Sequence, residues 1–102
     1  MSEKERMTER ELLALAVSRN TSAEKLSELA KENSWDVRKL VAGNPNTSTD
    51  VLIKLSEDED WDVREEVARN PNTPINVLNM LSKDSNWHVR KMANDKLAIR
   101  KK

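Results

Sequence analysis

Three tryptophans, Trp35, Trp61 and Trp87, stand 26 residues apart, and three residues after each comes an arginine: Arg38, Arg64 and Arg90. A column of indoles can stack the bases of a single strand or anchor the side chains of a partner protein. A column of guanidiniums can hold phosphates or carboxylates through its forked donors. Lys91 adds a cation after Arg90, but its column reads Lys39, Glu65, Lys91, so a uniform basic stripe breaks in the middle unit. Both columns also have a packing alternative. In a chain with no Phe or Tyr the tryptophans supply buried area between repeats, and the arginines pair with Asp36 and Asp62 of neighbouring repeats. The packing readings are favoured, with exposed edges left for contact. The candidate partner-binding residues are therefore Trp35, Trp61, Trp87, Arg38, Arg64, Arg90 and Lys91.

The remaining polar residues offer less. His88 is the sole histidine, there is no cysteine, and the one glycine cannot build a phosphate loop, so the usual catalytic and metal-binding constellations cannot be assembled. A non-enzyme without cofactor or metal is expected. The acidic run Glu57 to Asp60 lacks the turn glycine and ligand spacing of a calcium loop and reads as a solvated connector. Asn44, Asn46, Asn70 and Asn72 flank prolines and read as turn residues that satisfy local backbone groups. A net charge of zero and a pI near 6.6 lack the basic excess of a general nucleic-acid binder. The basic end, Arg90, Lys91, Lys96, Arg100, Lys101 and Lys102, is the best support for that alternative. No segment approaches the roughly 20 apolar residues of a membrane span, so a cytoplasmic location is expected.

The elements that must carry these columns repeat with the same interval. Ser34, Asp60 and Asn86 precede the tryptophans as helix N-caps, and Asp36 and Asp62 sit in the first turn. Val37, Leu40 and Val41, then Val63 and Val67, share one helical face. Asn44-Pro45 and Asn70-Pro71 end these helices. Thr47 and Thr73 are expected to cap a second, shorter helix, with Pro74 at its first helical position and a capping box in "TSAE" from Thr21. Its paired leucines, Leu26 and Leu29, Leu52 and Leu55, Leu78 and Leu81, fit one α turn or a 3₁₀ turn. At 36% apolar residues the chain is lean for one thick core, which favours a stack of thin units. The expected organisation is a single all-α domain over 1–102. It comprises a degenerate N-terminal capping repeat over 8–34, repeats over 35–60 and 61–86, and a C-terminal capping helix over 87–102. In the capping repeat, "TERE" from Thr8 forms a capping box, Glu11 takes the tryptophan position, and Asn20-Thr21 stands for the Asn-Pro turn with two residues deleted.

The run "DVREEVARNPNTP", followed by "VLNMLSKD", resembles the leucine-rich repeat variant family, a 26-residue all-helical relative of HEAT-type repeats, over nearly the whole chain. The resemblance implies a right-handed α-solenoid of short α and 3₁₀ helices, used as an interaction scaffold and carrying no catalytic residues. The iron-sulfur cluster of some such proteins needs cysteines this chain lacks and is not implied. The expected function is a non-enzymatic module that binds another protein through one face of the superhelix, as a monomer or weak homo-oligomer. The alternative is nucleic-acid binding through arginine and lysine phosphate contacts with tryptophan stacking.

Overall fold

The computed structural model describes residues 7–100. They form seven α-helices and no strand: α1 (Glu9–Val17), α2 (Ala23–Leu29), α3 (Trp35–Gly43), α4 (Thr49–Leu55), α5 (Trp61–Arg69), α6 (Ile75–Leu81) and α7 (Trp87–Arg100). The longer helices stack in a row, α1 on α3, α3 on α5 and α5 on α7, and each short helix packs against the long helix on either side of it. The row measures 50 × 25 × 18 Å.

The core is a stripe of small and medium side chains. Val37, Val41 and Ala42 in α3 and Val63, Val67 and Ala68 in α5 are wholly buried. Leu26, Leu52 and Leu78 close the stripe from the short helices. No aromatic residue enters it. Thin helices of two to three turns need nothing bulkier, because alanine at Ala16, Ala42 and Ala68 lets successive long helices approach closely.

Several local expectations change. The short helices are α-helical over seven residues, not 3₁₀. Their N-caps are Ser22, Ser48 and Pro74, one residue later than the expected threonines. Thr21, Thr47 and Thr73 instead turn inward, and each hydroxyl donates at 2.6 Å to the carbonyl six residues back, on Leu15, Val41 and Val67. Those carbonyls lie in the last turn of a long helix, and on Val41 and Val67 the hydroxyl adds a second bond to the one the carbonyl accepts from the Asn44 or Asn70 backbone amide at the C-cap. The Thr8 to Glu11 capping box forms as expected. Ser34 and Asp60 occupy cap positions without capping. The Ser34 hydroxyl donates to Glu9 at 2.7 Å and Asp60 accepts from Arg38, whereas the Asn86 side chain does accept from the amides of His88 and Val89. Glu9, not Glu11, begins α1 as Trp35 begins α3. Ser18 to Thr21 therefore stands for Asn44 to Thr47 with no deletion.

Candidate interaction surface

Arg38 lies where α3 meets the connector that leads into α5. Its Nε donates to Asp58 Oδ2 at 2.8 Å, its Nη1 to the carbonyls of Glu32 and Asn33, and its Nη2 to Asp58 Oδ1 and Asp60 Oδ2. All five donors of the guanidinium are thereby used, and the side chain is 13% exposed. Arg64 repeats the arrangement one unit later, bidentate to Asp84 at 2.8 and 3.0 Å and bonded to the Asp58 carbonyl. Arg90 keeps the carbonyl bond alone, Nη1 to Asp84 O at 2.7 Å.

The expected ladder is therefore real, but its carboxylates are Asp58 and Asp84, not Asp36 and Asp62. Twenty residues, a short helix and a connector separate each arginine from its partner, and the chain's return brings them together. In the connector "SEDED" Asp58 and Asp60 are held by Arg38, whereas Glu57 and Glu59 are exposed to solvent as expected. The hydrogen bonds that Arg38 donates to Asp58 and the surrounding carboxylates push it above the usual guanidinium range despite burial, and Asp84 does the same for Arg64. Burial works against the charge on Asp84. The bonds it accepts from Arg64 and from the Asn86 amide outweigh that and hold its carboxyl below the ordinary range.

The asparagines are also structural, and over a longer range than turn residues. The buried Asn44 amide donates to Ala16 O and Ser18 O, both at 2.9 Å, while its own oxygen accepts from the Asn46 amide. Asn70 does the same to Ala42 O and Asn44 O, at 2.8 and 3.1 Å. Asn46 and Asn72 reach Arg19 O, Thr21 O and Pro45 O. The C-terminal ends of α1 and α3 thus have carbonyls satisfied by an asparagine of the following unit. Arg100, at the end of α7, serves the last Asn-Pro turn, donating to Thr73 O, Asn70 O and Pro71 O. That removes one cation from the basic end proposed for phosphate contact; Lys101 and Lys102 lie outside the described residues.

The tryptophans form the exposed edge. Trp35, Trp61 and Trp87 are 42%, 37% and 56% exposed, at the first position of α3, α5 and α7. His88, also exposed, stacks between two of them, with ring centroids 4.9 Å from Trp61 and 4.3 Å from Trp87 at interplanar angles of 17° and 28°. Lys39 Nζ lies 5.9 Å from the Trp35 ring centre. Lys91 sits one turn below Trp87 and pairs with Asp95 at 3.2 Å. Toward the other, C-terminal end of α5, Arg69 pairs with Glu65 and Glu66. The surface is thus aromatic, with the pair of Lys91 and Asp95 beside it and the first-turn carboxylates Asp36 and Asp62, which form no ion pair among the described residues. The structure separates the seven candidate residues into two sets: Trp35, Trp61, Trp87 and Lys91 on the surface, and Arg38, Arg64 and, in part, Arg90 in the frame.

Every buried side-chain polar atom among the described residues has a hydrogen-bond partner. His88 was legible as a lone imidazole, but its stacking needed α7 laid beside α5. No described helix is long and apolar enough to cross a membrane. No protein-family model, curated protein or solved structure matches the chain.

Proposed function

We propose that this chain is a non-enzymatic helical-repeat module that binds another protein through the tryptophan edge of its long helices. The observation that carries this reading is the exposure of all three tryptophans beside an arginine column in which Arg38 and Arg64 are held by carboxylates. Large exposed aromatics at regular spacing are typical anchors of protein interfaces, and they persist on a surface when a partner covers them. The 26-residue recurrence of the asparagine and arginine bonds supports a right-handed α-solenoid of the leucine-rich repeat variant kind, with two full repeats between caps. Arginines engaged by carboxylates and a net charge of zero weigh against phosphate recognition. A cytoplasmic location accords with the absence of cysteine.

The test is selection from a displayed peptide library on the wild-type protein, counter-selected on the Trp35→Ala, Trp61→Ala, Trp87→Ala triple variant after its helicity is verified by circular dichroism. Peptides retained by the wild type and lost by the variant support the proposal. Peptides bound equally by both would place the binding face elsewhere.

A further inference from the structure

The Trp61, His88, Trp87 stack shows what fits between neighbouring tryptophans: one flat ring, in van der Waals contact with an indole on each side. Two helices packed at the usual 8–10 Å separation leave about this much room between equivalent side chains. The interval between Trp35 and Trp61 is built by the same offset, because α3 and α5 pack as α5 and α7 do and each tryptophan begins its helix. In that interval the residue equivalent to His88 is Asp62. A carboxylate has no ring to fill the space, and Trp35 and Trp61 make no stacking pair among the described residues. Asp62 is only partly exposed and forms no ion pair there either.

We propose that the gap between Trp35 and Trp61, with Asp62 at its base, is a slot for an arginine side chain of a partner protein. A guanidinium is planar, matches the thickness of the imidazole it replaces, attracts the faces of both indoles and pairs with the carboxylate. An ammonium satisfies the charge but not the flat shape. A nucleobase satisfies the shape, but its phosphates meet Asp62 and the acidic connector with no free Arg38 to offset them. The Trp35 ring already has a cation, Lys39 Nζ, in reach of its centre. The slot rests on the reading of the tryptophan edge as an interface and narrows its partner to one that presents an exposed arginine.

The experiment follows the three indole N–H signals by NMR while a blocked Gly-Arg-Gly peptide is added, with lysine and citrulline versions as controls. Trp35 and Trp61 are expected to shift and saturate with the arginine peptide, with little response to citrulline. Asp62→Asn is expected to weaken binding about fivefold, and Asp62→His, which inserts its own ring as His88 does, by about tenfold or more. His88→Asp is expected to open a second slot, so that Trp87 responds too. Shifts equal for arginine and citrulline, or unchanged in Asp62→His, would overturn the slot. Library peptides that need the tryptophans but contain no arginine would overturn it alone and leave the interface standing. Failure of every peptide to depend on the tryptophans would remove both.

Discussion

At the scale of the residue, the molecule uses asparagine for what helix ends elsewhere leave to solvent. Asn70 is 2% exposed and serves two carbonyls and one amide from a single side chain. Asn70→Ala is expected to cost about 3 kcal/mol in urea unfolding, against less than about 0.5 kcal/mol for the exposed Asn20→Ala. Equal losses would show that the amide bonds carry no special weight. Arginine geometry predicts a second contrast. Arg38→Lys discards a five-donor fork and is expected to cost about 1–2 kcal/mol, whereas Arg90→Lys, with one bond at stake, is expected to change stability by under about 0.5 kcal/mol. Asp84 adds a pH dependence of fixed sign. Its folded carboxyl lies below the ordinary value, so its contribution is complete above about pH 5 and is lost as pH falls through that lowered folded value. Asp84→Asn is therefore expected to be less stable at neutral pH and to lose less on acidification, a difference that thermal melts from pH 7 down to 2 would expose.

At the scale of the element, helix positions could be read from the sequence because tryptophan starts, Asn-Pro stops and leucine pairs each have a local physical cause. The details that failed were decided elsewhere in the chain. Ser34 and Asp60 stand in good cap positions, but a glutamate 25 residues and an arginine 22 residues earlier in the chain claim their side chains. Thr47 and Thr73 read as caps until the preceding helix supplies a buried carbonyl. Asp36 and Asp62 share the arginines' own helices, whereas the true partners, Asp58 and Asp84, arrive from beyond the next short helix. The sequence held a clue, since Asp58 and Asp84 recur at the repeat interval too, but column spacing alone cannot choose between two aspartate columns. Gly43, the last residue of α3, has no left-handed backbone that would require glycine. A Cβ there would meet Glu66 Oε1 at 3.0 Å, the movable end of a side chain already drawn toward Arg69. Gly43→Ala is thus expected to raise stability by about 0.5 kcal/mol through helix propensity, and a melting temperature lowered by the change would show that Glu66 cannot yield.

At the scale of the whole molecule, a frame and a surface are divided between two columns that the sequence places only three residues apart. The radius of gyration, 14.0 Å, exceeds the roughly 13 Å of a compact 100-residue domain, as a row of helices should. Its interior is closed by valine, leucine and alanine with asparagine and arginine bonds across every interval, so the tryptophans are not needed as a core and stand along one edge. The most direct test is a titration followed by tryptophan emission, with a mixed-sequence single-stranded oligonucleotide and, separately, a peptide selected on the tryptophan edge, at about 50 and 200 mM salt. The peptide should alter the emission at both salts and the oligonucleotide at neither. Quenching by the oligonucleotide that collapses at the higher salt, with no response to peptide, would contradict the assignment of this edge to a protein partner.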